Sequence, residues 1–130
     1  MSHSSDSRGV KLACAHVEAW GNKDFDTARA GLAGGVMVTT SSTNPGVPHT
    51  DLVGVDDYMQ GLILFAQSIV PGSTRVTDSA GDDQYALLMV TTKVDGPPYG
   101  KLTIHNARLY RFDDNDKIAA EQVIFCTVPD

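Results

Sequence analysis

Residues 101–128 read KLTIHNARLYRFDDNDKIAAEQVIFCTV and contain the pattern that decides the fold. Two apolar-rich runs, at 100–112 and 117–128, flank the acidic segment DDND, whose residue types are typical of a turn. Because a short connection joins antiparallel neighbours, this stretch predicts a β-hairpin. Side chains of a strand alternate between two sides, so the hairpin has two faces of different composition.

The register of the hairpin predicts a charge pair on one face. If the turn has four residues, Arg108 lies directly opposite Glu121, and Tyr110 and Phe125 share their face. A charge pair among aromatic residues is costly in a dry core but suits the wall of a partly wet cavity. The alternative is an ordinary cross-strand salt bridge on the solvent side.

The remaining segments predict helices first and strands afterwards. Apolar residues recur every three or four positions in three segments, which predicts helices at 8–21, 24–33 and 54–70. Further short runs predict strands at 36–41, 73–79 and 84–95, with a loop rich in Pro, Ser and Thr at 41–52. Helices followed by an antiparallel meander indicate the α+β class, in which the helices cover one face of the sheet.

Composition limits the partners of this chain. We expect one domain at 8–130 after a flexible tail at 1–7. Sixteen acidic against ten basic residues give a net charge of −6, which disfavours nucleic acid and anionic membranes as partners. The sequence contains no run of roughly 18 apolar residues, so it predicts no membrane-spanning segment. Cys14 and Cys126 are too few for a disulfide framework or a zinc site, so we expect reduced thiols in a cytoplasmic protein.

Histidines supply further candidates for chemistry. His16 lies one helical turn from both Leu12 and Trp20, so it borders the apolar stripe of the first helix. It is either a boundary residue or a base that reaches an internal cavity. His49, in the Pro-containing loop, is either a cap over such a cavity or plain surface. The sequence contains no phosphate-binding, zinc-protease or serine-hydrolase motif, which leaves nucleotide, flavin and hydrolase interpretations without support.

Three segments, VEAWGNKDFD at 17–26, GVDDY at 54–58 and YRFDDNDKI at 110–118, are similar to a known superfamily. With the order of the elements, they resemble the nuclear transport factor 2-like superfamily, and its SnoaL-like polyketide cyclase branch in particular. The resemblance implies an α+β cone of the cystatin type, in which a curved antiparallel sheet wraps around helices and encloses a pocket. It also implies a homodimer that packs through the sheet.

The resemblance further implies that the positions of His16, Thr40, Arg108 and Glu121 face the pocket. Ketosteroid isomerases have a tyrosine, a carboxylate base and a carboxylic acid at the first three of these positions, and this chain has none of them. We predict His16, Arg108 and Glu121 as catalytic residues. The predicted pocket lining consists of Trp20, Thr40, Tyr58, Met59, Leu62, Asn106, Tyr110 and Phe125.

Three functions remain open from the sequence, the third of which is an accessory protein held to another enzyme through the sheet face around His105. The first is a cofactor-independent and metal-free acid–base enzyme, of isomerase, cyclase or dehydratase type, acting on a small apolar carbonyl or cyclic compound. In it Glu121 or His16 is the general base, and Arg108 stabilises a developing oxyanion. The second is a non-catalytic ligand-binding or dimerisation module of the same fold, in which Arg108 and Glu121 neutralise each other.

The other face of the hairpin predicts the surface for the homodimer. It is too apolar to be left wet on a monomer, and strand parity separates it from the face of Arg108. Its residues are Thr103, His105, Ala107, Leu109, Ile124 and Cys126.

Overall fold

A computed structural model describes residues 7–97 and 100–129. Apart from Ser7, the predicted tail lies outside the described residues. Helices and strands follow one another in the order α1 (Arg8–Gly21), α2 (Phe25–Ala30), β1 (Leu32–Ser42), β2 (Thr50–Val53), α3 (Val55–Ala66), β3 (Arg75–Gly81), β4 (Tyr85–Val94), β5 (Leu102–Phe112) and β6 (Ile118–Pro129).

The strands form one sheet in the order β2-β1-β6-β5-β4-β3. Four of the five neighbouring pairs are antiparallel, as predicted, but β1 and β6 run parallel, so the sheet is mixed rather than wholly antiparallel. Most of the chain separates β1 from β6, so no short turn constrains their relative direction. The α+β class predicted from the sequence is confirmed.

The largest differences from the predicted elements lie between residues 30 and 53. The second helix, predicted at 24–33, stops at Ala30, and the residues from Leu32 onwards belong to β1. The segment predicted as a loop at 41–52 contains most of a short strand, β2, which pairs with β1 at the edge of the sheet. Four residues are too few to show a strand periodicity, so only the pairing with β1 reveals this strand.

The β5–β6 hairpin forms in a register different from the predicted one. Tyr110, rather than Arg108, lies opposite Glu121. Two irregularities each shift the register by one residue. One is the turn, in which Asp116 has a φ of 62°, and the other is a bulge beside the turn. A shift of one residue would have moved Glu121 to the opposite face, but a shift of two returns it to the face of Arg108.

The helices pack on one face of the sheet and form the core there. At the start of α1 the Ser7 hydroxyl accepts a hydrogen bond from Val10 N at 3.2 Å. A Cβ at Gly9 would lie 2.3 Å from the carbonyl oxygen of Asp82, so glycine is required where α1 approaches the end of β3. The largest fully buried side chains are Trp20, Tyr110, Leu88, Ile118, Val17 and Val36.

Candidate functional site

A cavity of about 380 Å³ lies between α3, the β1–β2 hairpin and the helix-facing side of β5 and β6. This volume suits a small molecule. Most of the wall is apolar and includes Val38, Leu52, Leu62, Phe65, Ile104 and Phe125. Its polar lining residues are Thr40, Thr50, Tyr58, Asn106, Arg108 and Glu121.

The wall includes most of the residues that the sequence predicts for the site. Seven of them line the cavity: Thr40, Tyr58, Leu62, Asn106, Arg108, Glu121 and Phe125. The other four are buried in the core outside this lining: His16, Trp20, Met59 and Tyr110. His16 therefore does not reach the cavity itself, in contrast to its predicted position.

Arg108 and Glu121 form a buried ion pair on the cavity wall. Nη1 of Arg108 donates a hydrogen bond to Oε2 of Glu121 at 2.8 Å, and the two side chains are 9% and 1% exposed. The guanidinium carbon also lies 4.8 Å from the centre of the Trp20 ring, which is a cation–π contact. A pair this desolvated is favourable only if its remaining polar atoms also find partners.

Tyr58 supplies the second partner of the carboxylate. Gly54, with a φ of 94°, turns the chain into α3 and places Tyr58 near the start of that helix. Its hydroxyl donates a hydrogen bond to Oε1 of Glu121. The same hydroxyl lies 3.1 Å from Nε2 of His16. Because the hydroxyl proton points to the carboxylate, Nε2 of His16 is the donor in this second contact.

Burial and neighbouring charges set the protonation states of this network. Burial, together with Glu121, raises the pKa of Tyr58 and of Tyr110 well above the ordinary value, so both phenols stay protonated. Burial lowers the pKa of His16 despite the opposing effect of Glu121. Burial alone would lower the pKa of Arg108, but the opposing contributions, which include the Glu121 carboxylate and its hydrogen bond, raise it above the ordinary value, so the guanidinium stays charged.

Asn106 completes the network on the other side of the guanidinium. Its Oδ1 accepts a hydrogen bond from Nε of Arg108 at 2.7 Å. Its Nδ2 is buried and has no hydrogen-bond partner among the described residues. A buried donor without a partner is unfavourable by roughly 1–3 kcal/mol, so this atom is a natural contact for a bound ligand.

His49 lies outside the cavity, on the exposed side of the β1–β2 hairpin. Its Nδ1 lies 3.1 Å from the Ser41 hydroxyl, and its Nε2 lies 2.9 Å from Oδ1 of Asp51. Val47 and Pro48, two residues of the same loop, line the cavity instead. The loop therefore does border the cavity, but through apolar side chains that the sequence analysis did not single out.

A second cavity, of about 350 Å³, lies between α1 and β3 and shares no lining residue with the first. We place the candidate site in the first cavity because that one contains the buried charges. Within residues 7–97 and 100–129, no three His, Cys, Asp or Glu side chains converge as a metal site. None of the helices described there is both long and apolar enough to cross a bilayer.

The arrangement provides an acid–base group inside an apolar chamber. Glu121 is the only carboxylate on the described wall of the cavity. A carboxylate oxygen has two lone pairs, so each oxygen of Glu121 keeps acceptor capacity beside its existing hydrogen bond. Tyr58 and Arg108 provide fixed donors close by, which is the combination that proton transfer to or from a small molecule requires.

Comparison with solved structures identifies the architecture. A protein from Kribbella flavida is 26% identical, with a TM-score of 0.74, over 91% of this chain and 86% of its own. An epoxide hydrolase from M. tuberculosis, described as LEH-like, is 18% identical, with a TM-score of 0.69, over 91% and 82%. A hypothetical protein with a ketosteroid isomerase-like fold from Catenulispora acidiphila, solved in complex with trimethylamine, is 14% identical, with a TM-score of 0.64, over 87% of this chain and 83% of its own.

Other matched structures are described as cystatin-like, NTF2-like and SnoaL-like. This chain has the nuclear transport factor 2-like fold. The fold that the resemblance implied is thereby confirmed. No protein-family model and no curated protein sequence matches the chain. The nuclear transport factor 2-like fold places the cavity between helices and sheet, while the chemistry has to be argued from the side chains in it.

Proposed function

We propose that this protein is a cofactor-independent acid–base enzyme acting on a small, mostly apolar carbonyl or cyclic compound, of isomerase, cyclase or dehydratase type. The observation that carries the proposal is the buried Arg108–Glu121 pair on the wall of an apolar cavity. Buried charges are unfavourable for folding, so their presence in an otherwise apolar chamber is typical of a functional site.

Glu121 is the proposed general base. It removes a proton from the carbon next to a carbonyl group, and the electron pair of the broken C–H bond moves towards the carbonyl oxygen. The charge that develops on this oxygen is stabilised by the donors of Arg108 and Asn106. Protonated Glu121 then returns the proton to the same or another carbon, which regenerates the carboxylate. Tyr58 stays protonated and holds Oε1 of Glu121 in place.

His16 is a positioning residue in this proposal rather than the base. It contacts Tyr58 and is absent from the cavity lining, so it acts on the substrate only through that phenol. The proposal therefore favours Glu121 over His16 as the base.

The matched structures support this class of chemistry. They include an epoxide hydrolase and ketosteroid isomerase-like proteins, which share the fold with this chain. The protein solved with trimethylamine binds a small molecule. A non-catalytic binding module is the second candidate, and it is favoured by the engagement of both Glu121 oxygens, with Arg108 and with Tyr58.

Exchange of carbon-bound protons tests the proposal without knowledge of the substrate. Cyclohexanone, indanone and decalone are incubated with the protein in D₂O, and loss of the proton signals next to the carbonyl is followed by NMR. We expect wild type to accelerate exchange, and Glu121→Gln to reduce the acceleration by about 100-fold or more. Glu18→Gln, the only other glutamate in the sequence, is the matched control and is expected to behave as wild type.

The outcomes separate the two candidate functions. Acceleration that survives in Glu121→Gln would remove Glu121 from the role of base. Binding of the ketones with no acceleration by wild type would favour the non-catalytic module instead.

We also propose a homodimer formed through the uncovered face of the sheet. Leu109 and Ile124, which belong to the predicted interface, are 41% and 45% exposed. Leu87 and Met89 of β4 are similarly exposed and extend the same face. An apolar surface of this extent is typical of a subunit interface. The cytoplasmic location remains a prediction from the cysteine content.

A further inference from the structure

The amide group of Asn106 has an orientation that its neighbour determines. Nε of Arg108 is a donor and cannot accept, so the atom that faces it at 2.7 Å must be Oδ1 of Asn106. Nδ2 is therefore turned away from the guanidinium. It is buried on a residue that is 3% exposed, and none of the described residues accepts a hydrogen bond from it.

The charges around this amide are already balanced. Arg108 is the only cationic side chain on the described wall, and it is paired with Glu121, the only anionic one. Tyr58 is kept neutral by its raised pKa. A charged ligand would therefore bring an uncompensated charge into an apolar cavity, which is strongly unfavourable.

We propose that the cavity selects a neutral carbonyl compound, and that Asn106 is the specificity-determining residue, with Nδ2 donating a hydrogen bond to the carbonyl oxygen. The proposal rests on the proposed function, because it concerns the ligand of the same site. The apolar wall formed by Leu62, Phe65, Ile104 and Phe125 accommodates the hydrocarbon part of such a molecule. A carboxylate or an ammonium compound of the same shape is excluded by its charge, and a hydrocarbon leaves Nδ2 without an acceptor.

Four probes with the same ring test this selectivity: cyclohexanone, methylcyclohexane, cyclohexanecarboxylate and cyclohexylammonium. Binding is measured by titration with ¹⁵N-labelled protein, in which the side-chain amide signals of asparagine are observed directly. We expect cyclohexanone to bind about tenfold or more tightly than each of the other three. We also expect it to move the Nδ2 proton signals of Asn106 downfield, whereas the other three probes leave them in place.

Asn106→Asp removes the donor and also adds a carboxylate charge beside Arg108, so its result is read together with the amide signals of the wild type. Aspartate keeps an oxygen that accepts from Nε of Arg108 but replaces the NH₂ group with a second acceptor. We expect about a tenfold loss of affinity for cyclohexanone in this variant. Asn115→Asp, in the exposed β5–β6 turn, is the matched control and should bind as wild type does. If Asn106→Asp does not fold, the wild-type amide signals and the four-probe comparison still test the proposed hydrogen bond from Asn106.

Three results would overturn the inference: equal binding of the four probes, no movement of the Asn106 amide signals, or no detectable binding of cyclohexanone. The readout is binding, so it separates this inference from the proposed function. Selective ketone binding without proton exchange would support the role of Asn106 and contradict the enzyme. Proton exchange with an unmoved Asn106 signal would support the enzyme and contradict the role of Asn106.

Discussion

At the scale of single residues, Arg108 is the side chain on which the buried network depends. Its guanidinium contacts the Glu121 carboxylate, the Asn106 amide and the Trp20 ring. These contacts compensate a desolvation that would otherwise destabilise the fold. The same contacts fix the directions in which Glu121 and Asn106 present their remaining polar atoms.

Arg108→Ala is expected to destabilise the protein by about 3–5 kcal/mol, because it leaves Glu121 as an unpaired buried charge. Urea unfolding followed by circular dichroism measures the change. The double variant Arg108→Met, Glu121→Gln removes both charges and should recover a large part of the loss. Arg111→Ala, on the exposed face of the same strand, is the matched control. A loss below about 1 kcal/mol for Arg108→Ala would show that the pair is effectively solvated.

His16 is expected to make stability depend on pH below its ordinary pKa of 6.5. Burial lowers its pKa in the folded protein, whereas Glu121 raises it and Arg108 lowers it further. The unfolded chain therefore takes up a proton at a pH where the folded protein does not, and folding becomes less stable as the pH falls. The slope is at most about 1.4 kcal/mol per pH unit.

Urea unfolding between about pH 5 and 8 measures this dependence. His16→Gln, which can still donate to Tyr58, should lose the part of the slope that His16 contributes. His3→Gln, in the predicted tail, serves as the control for the loss of a histidine. Parallel curves for wild type and His16→Gln would contradict the prediction.

At the scale of the elements, the β5–β6 hairpin shows how far local patterns reach. Its two strands, and the alternation of faces within each strand, follow from period-two patterning. The register does not follow from this alternation. The three residues between Asp113 and Lys117, and a bulge next to them, change which residues of β5 and β6 lie opposite each other. Turn type and bulge position depend on how the strands twist when they pair, and no sequence periodicity encodes that.

The β1–β2 hairpin contains a strand, β2, that the sequence pattern does not predict. Thr50–Val53 is short and its residues are mostly polar or exposed, so it has no signature of its own. It becomes a strand because Met37–Thr40 offers free backbone groups at the edge of the sheet. This pairing is what brings the loop with Val47 and Pro48 to the cavity.

At the scale of the whole molecule, the helices cover only one face of the sheet, and we expect the other face to form the proposed dimer interface. We expect wild type to sediment as a dimer at tens of micromolar, and Ile124→Glu to sediment as a monomer, since a charge at the centre of this face opposes its burial. Leu64→Glu on α3, at a side chain that is 59% exposed, is the control. A monomeric wild type at that concentration would refute the dimer.

Sequence alone determined the α+β class and the positions of most helices and strands. These features depend on local periodicity and on short connections, which neighbouring residues fully specify. Only the tertiary structure decided the parallel pairing of β1 with β6, the place of Tyr58 between His16 and Glu121, and the position of Nδ2 of Asn106, which has no partner among the described residues. Each of these depends on side chains or strands far apart in the chain, and their approach is set by the packing of the helices on the sheet.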